Sequence, residues 1–258
     1  SETRPFRTLG RLRDNELEGG ATVLLERGGV WRENLSLGAS GSDTSPIRFT
    51  AYGNGALPVI TGADPVTDLA PVPTSPRQRF AVHDLLRLGG RREIWQGTIG
   101  GEPSQLFLDG QRGERVRSVR EVGAPGTWHY EPASGGLTVA GGVGSDPPSV
   151  EVSLRNHCFE ASGRGSFVLD RLCLRRGAWH TLHVVGCRNF EITRCEIEGS
   201  FVNGVWLQSD APSIFVVLRR NIIRDCGGSG ISLGGRIAEC IIEDNTISRC
   251  CQLHEDVP

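Results

Sequence analysis

The sequence predicts an all-β solenoid, a parallel β-helix whose coils of about 23–26 residues stack along one axis, and three observations lead there. First, four segments of the last third align with one another: 167–174, 190–197, 216–223 and 240–247. Each has an apolar residue five positions before a marker and another two after it. The markers Leu172, Cys195, Asn221 and Asn245 are spaced by 23, 26 and 24 residues. Second, another strand pattern follows nine residues after each of the first three markers, at 181–184, 204–207 and 230–233. Third, these segments alternate with period two and are rich in β-branched residues, with no apolar stripe of period 3.6, so stacked helices are disfavoured. A short strand cannot bury its apolar edge alone. Stacking does so, because each coil pairs with the next about 4.8 Å along the axis.

Stacking makes like residues neighbours. Asn221 and Asn245 are expected one above the other, sharing amide hydrogen bonds as an internal ladder, and Cys226 and Cys250 repeat at one position. All eight Cys fall between Cys158 and Cys251 without the C-x-x-C spacing of a zinc or redox site, and read as small buried apolar residues.

The opening third has the same texture. Residues 22–25, 31–37, 46–52 and 58–61 are short strand patterns separated by Gly, Ser, Asp and Asn turns. The pattern breaks from about 64 to 150, beginning with a Pro-rich stretch at 64–76. Within it, 127–130 and 137–140 flank Pro-Ala-Ser-Gly-Gly as a hairpin would. The expected organisation is a cap and first coils over 1–63, a β-rich insertion over 64–150 packed beside the helix, and further coils over 151–258.

The chain is 38% apolar and 22% charged, with a net charge of −2 and Arg as its only basic side chain besides His. That balance lacks the basic face of a nucleic-acid binder, and no run approaches the roughly 18 apolar residues of a membrane-spanning helix. With no Lys, mechanisms that need one are excluded here.

The runs Pro-Phe-Arg-Thr-Leu at 5–9, Gly-Ala-Thr-Val-Leu-Leu at 20–25, Arg-Gly-Gly-Val-Trp-Arg-Glu at 27–33, Ser40-Gly41, Pro46-Ile47, Ala-Tyr-Gly-Asn-Gly at 51–55 and Pro-Val-Ile-Thr-Gly at 58–62 carry a resemblance. They resemble the N-terminal cap and first coils of bacterial right-handed parallel β-helix proteins of the pectate-lyase-like superfamily. The resemblance implies a secreted or cell-surface carbohydrate-active protein with a polysaccharide partner. Lyases, glycoside hydrolases, epimerases and proteins of no known reaction share this fold, so it leaves the reaction open, and it admits Ca2+ as a cofactor. It also implies one more strand before Pro5 and many more coils after the last, as if the chain were clipped at both ends.

Strand alternation places Leu182, Val205 and Ile231, with Val184, Leu207 and Leu233, toward the axis. His183, Trp206 and Ser232 then stack outward. An outward indole beside an imidazole suits a sugar groove, so Trp206 and His183 are candidate substrate contacts. The alternatives are a loop packed over Trp206 and a solvated surface role for His183.

Glycoside hydrolysis needs two carboxylates about 5–10 Å apart. Asp225, Glu239, Glu243 and Asp244 are available, but at positions where charges are usually solvated. Elimination needs a base and a cation on the uronate carboxylate, for which Arg219 is the candidate among Arg175, Arg176, Arg220 and Arg224. His254, Glu255 and Asp256 form the densest cluster of chemistry and, with His183, are the catalytic candidates. A non-catalytic carbohydrate-binding or structural stalk remains the second expectation.

Overall fold

The computed structural model describes residues 7–14, 17–72, 93–141, 148–213 and 215–252. The chain divides into two compact units, Ser1–Ala63 with Arg155–Pro258, and Asp64–Leu154. The first opens with a short helix, α1 (Arg11–Asp14), and Leu9 and Leu12 are buried in the same apolar core as the strands. The first coil is β1 (Thr22–Glu26), β2 (Val30–Trp31) and β3 (Leu35–Leu37), and the second begins with β4 (Ile47–Tyr52) and β5 (Val59–Thr61).

Strands β6 (Ala63–Pro65), β7 (Ala70–Pro71), β8 (Ile94–Thr98), β9 (Leu106–Leu108), β10 (Gln111–Arg112), β11 (Glu114–Arg115), β12 (Thr127–Glu131), β13 (Gly136–Ala140) and β14 (Val150–Ser153) come next. The second coil is then completed by β15 (Phe159–Ser162), which pairs in parallel with β3 through Phe159 opposite Leu35. The Arg155 amide donates to the Gly62 carbonyl at 3.1 Å, so the chain leaves and rejoins the coil at one place.

Three full coils follow: β16 (Gly165–Asp170), β17 (Cys173–Arg175) and β18 (Leu182–Val185); β19 (Arg188–Thr193), β20 (Glu196–Glu198) and β21 (Val205–Ser213); β22 (Val216–Arg219), β23 (Ile222–Arg224) and β24 (Ile231–Ile237). Strands β25 (Cys240–Glu243) and β26 (Thr246–Ser248) continue the stack. All pairings in this unit's three long sheets are parallel. Sheet A is β1-β4-β16-β19-β22-β25, sheet B is β2-β5-β17-β20-β23-β26, and sheet C is β3-β15-β18-β21-β24.

The register turns the sequence repeats into columns. Phe49, Leu169, Ile192 and Leu218 line up in sheet A, Ile60, Leu174, Ile197 and Ile223 in sheet B, and Leu35, Phe159, Leu182 and Val205 in sheet C, all buried. Phe167 and Phe190 stack with centroids 4.9 Å apart. In the last described coil Ile242 and Ile247 are 43% and 48% exposed, since among the described residues no coil covers them on one side.

Each aligned eight-residue segment proves to be two strands around a corner. The residue before each marker, Arg171, Arg194, Arg220 and Asp244, has a positive φ of 53–56°. One left-handed residue turns the chain sharply from sheet A to sheet B, so the repeat has three strands and not the two that alternation suggests. Such a conformation costs a residue with a Cβ roughly 1–2 kcal/mol. Ladders at the corners offset it. Asn221 Nδ2 donates to Asn245 Oδ1 at 2.9 Å and to the Ile192 carbonyl at 2.9 Å, while Asn221 Oδ1 accepts from the Cys195 amide at 2.9 Å.

The second unit contains the expected hairpin, β12 antiparallel to β13 with Glu131 opposite Gly136. Its larger sheet is β11-β12-β13-β8-β7 and its smaller one β10-β9-β14-β6. Leu106, Trp128, Tyr130, Leu137, Val139, Val150 and Val152 form a separate apolar core.

Candidate functional site

The register across sheet C sets one outward row, Ser36, Glu160, His183, Trp206 and Ser232, each opposite the next. The corner that leads into this sheet adds His157 and His180, one coil apart. Four rings therefore stand nearly parallel. His157 stacks on His183 at 4.4 Å and 9°, and His180 on Trp206 at 5.0 Å and 5°, with His180 5.8 Å from His183. Trp179, 43% exposed, meets His180 edge-on at 5.5 Å.

Hydrogen bonds fix the ring orientations. His157 Nδ1 lies 2.8 Å from the His180 carbonyl, which can only accept, so Nδ1 carries the proton. His180 Nδ1 lies 3.4 Å from the Asn203 amide nitrogen and 3.3 Å from Asn203 Nδ2, so it accepts and the imidazole is neutral. Asn203 Oδ1 in turn accepts from the Ser229 amide at 2.8 Å, which carries the ladder into the next coil. Burial, then repulsion from His157 and His183, pushes the His180 pKa down to about 4. Burial and His157 also lower that of His183, with Glu160 pulling the other way. Both rings are uncharged at neutral pH.

The indole of Trp206 thus has one face against His180. On the other side the row continues with Ser232, a side chain too small to cover it.

Arg219 lies elsewhere. It projects from sheet A, opposite Thr193 and Glu243, and its Nε is 2.6 Å from Glu243 Oε1. Other coil arginines are also paired with carboxylates, Arg224 to Glu198 at 2.7 Å, Arg194 to Asp170 at 2.8 Å and Arg249 to Asp225 at 2.6 Å. Strand alternation cannot tell which of three sheets an outward residue joins, and the corners decide it. His254, Glu255 and Asp256 lie outside the described residues.

No disulfide joins the eight Cys, and burial raises the thiols of Cys158, Cys173 and Cys195 to about 12, so none of these three serves as a nucleophile. Among the described residues no three His, Cys, Asp or Glu side chains converge as a metal ion requires, and no step is assigned to the Ca2+ that the resemblance admits. Among the same residues no helix is long and apolar enough to cross a membrane.

Strand alternation does not mark His157 and His180 as members of the site. Their 23-residue separation matches the first marker interval, but both sit in corners, where alternation gives no signal.

Residues 153–254 match the family model described as "Right handed beta helix region". The fold is a right-handed parallel β-helix. By sequence, no curated protein matches this β-helix. Among solved structures, one described as a glycoside hydrolase is similar with a TM-score of 0.61 and 10% identity, over 88% of this chain and 62% of its own. XylC, solved with xylose, gives 0.54 and 13% over 96% and 61%. A GH136 lacto-N-biosidase from Eubacterium ramulus gives 0.50 and 15% over 98% and 43%. The β-helix spans less than two thirds of the length of each, and at these identities the likeness is one of fold.

Proposed function

We propose that this β-helix is a carbohydrate-active protein that takes a glycan along the outward face of sheet C. The observation that carries the reading is the outward, half-buried Trp206, stacked on His180 and followed in its row by the small Ser232. A pyranose presents apolar C–H groups on its face, and an immobilised indole binds it with little loss of side-chain freedom. Beside it, neutral His183 and Glu160 supply hydrogen-bonding groups for ring hydroxyls.

Hydrolysis fits this face better than elimination. The row contains a carboxylate and no arginine, whereas elimination from a uronate needs a cation on the substrate carboxylate. Fold neighbours named as glycoside hydrolases support the same choice. A second reading, a binding surface without catalysis, is favoured by one observation. Glu160 is the only carboxylate in the row among the described residues, and hydrolysis needs two.

The test is the intact protein against a polysaccharide panel, following reducing ends and, for unsaturated uronates, absorbance near about 235 nm. Reducing ends alone support hydrolysis. New absorbance refutes the choice of hydrolysis, and binding without either signal selects the second reading. Trp206→Ala is expected to weaken glycan binding by about tenfold or more, from roughly 1.5 kcal/mol of lost apolar contact. Unchanged binding in that variant would place the groove elsewhere.

A further inference from the structure

The second unit has a feature unrelated to the face just described. The sheet β11-β12-β13-β8-β7 buries one side, with Trp128, Tyr130, Leu137 and Val139, in that unit's core. Its other side is a small grid set by the register. His129 lies opposite Thr138 and Thr138 opposite Gln96, while Glu131 lies opposite Gly136 and Gly136 opposite Thr98. Gly136 contributes no side chain to the middle of the second row, so Glu131 and Thr98 stand two strand spacings apart, about 10 Å, with the Ser134 hydroxyl, which accepts from the Gly136 amide at 3.2 Å, at the edge of the floor between them. Asp68 closes the far side, its Oδ2 accepting from Thr98 Oγ1 at 2.6 Å and from the Thr98 amide at 3.0 Å. The resulting cleft is about 570 Å³, a size usual for small-ligand sites, and Val119 adds an exposed apolar wall.

Its chemistry is lopsided. His129 Nδ1 lies 3.2 Å from the Val116 carbonyl, so it carries the proton and leaves Nε2 as an acceptor in the neutral ring. Glu131 and Asp68 are acceptors too, while the Thr138 and Ser134 hydroxyls can both donate and accept. The Gln96 amide nitrogen already donates to Thr138 Oγ1 at 3.2 Å. No Arg lines the cleft among the described residues. With two carboxylates and no Arg among its lining residues, the cleft favours a ligand without negative charge.

From the grid, the floor without a side chain at Gly136 and walls that mix hydroxyls with two carboxylates and no Arg, we infer that this cleft is a second carbohydrate site, binding a single neutral or amino-bearing sugar ring and excluding uronates. Hydroxyl or ammonium donors meet Glu131 and His129 Nε2, and the ring lies over Gly136 against Val119.

The experiment follows the His129 imidazole by NMR in the intact protein while glucosamine, glucose, glucuronate and ethylammonium are titrated in turn. Glucosamine and glucose are expected to shift His129 in a saturable way, with glucuronate at least tenfold weaker. Gly136→Val, which fills the floor, is expected to abolish the shift. If that variant does not fold, the exposed Glu131→Gln is expected to weaken glucosamine binding at least fivefold. The inference is overturned by no saturable shift with either neutral or amino sugar. It is equally overturned by glucuronate binding as well as glucose, by ethylammonium matching glucosamine, or by undiminished binding in a folded Gly136→Val or in Glu131→Gln. The indole N–H resonance of Trp206, assigned by its loss in Trp206→Ala, reports on the sheet C face separately, so either site can fail alone.

Discussion

Replacing Asn221 with Ala tests the reasoning about the corner ladder most directly. The residue is 1% exposed. Its amide accepts from the Cys195 amide, donates to the Ile192 carbonyl and donates to Asn245 Oδ1, so it ties three successive coils together. Truncation leaves the buried Cys195 amide and Ile192 carbonyl without these partners, and each loss costs about 1–3 kcal/mol when no water reaches the gap. Asn245 Oδ1 keeps the Asn221 backbone amide at 2.9 Å, so the next coil is not orphaned. The expected destabilisation is therefore roughly 2–6 kcal/mol. Urea unfolding of the intact protein followed by far-ultraviolet circular dichroism measures it, and hydrogen exchange at the Cys195 amide shows whether the loss is local. A stability within about 0.5 kcal/mol of the parent, with Cys195 protection unchanged, would refute the ladder as a source of stability. Asn245→Ala, at a less buried level of the same ladder, should cost less.

His180 makes stability depend on pH. Its folded pKa, about 4, lies below the ordinary histidine value of 6.5, so the unfolded chain binds a proton first as pH falls. The contribution is complete above about pH 6.5 and is lost progressively down to about pH 4, at most roughly 3 kcal/mol. His180→Asn, which copies the Asn203 found one coil on, should flatten this limb of the stability–pH curve, and parallel curves for parent and variant would count against the assignment. Gly204→Ala should destabilise by about 1–3 kcal/mol, because a Cβ there would lie 2.7 Å from the Gly230 carbonyl oxygen and 2.9 Å from Cys226 Sγ. Gly100→Ala, with open space around it, should stay within about 0.5 kcal/mol, and thermal melts of the two variants that coincide would contradict the packing argument.

Much of the architecture was legible because stacking repeats the same demand at the same phase. Phe167, Phe190, Val216 and Cys240, aligned from sequence, pair residue for residue in sheet A. The Asn221–Asn245 ladder follows from the same alignment. What the alignment hid was the corner. Intrinsic preference gives left-handed positions to Gly and Asn, yet Arg171, Arg194 and Arg220 occupy them. Each segment therefore reads as one strand although the chain bends within it. A different corner, between β21 and β22, puts Trp206 and Arg219 on different sheets. Trp206 and His183 were legible as neighbours, since their phases match. Their partners His157 and His180 were not, since a corner residue has no alternating pattern to announce it.

The place where the chain leaves the second coil also bears on assembly. Ile47 and Phe167 pair although 120 residues separate them, whereas Phe167 and Phe190 are 23 apart. Chain-closure entropy grows only as the logarithm of the span, so the longer contact costs about 1.5 kcal/mol more to form. Because Gly62 and Arg155 are held together by the coil itself, that penalty is almost insensitive to what lies between them, and doubling the segment would add only about 0.6 kcal/mol. The solenoid can thus host excursions of very different length at this corner while its own stacking stays the same.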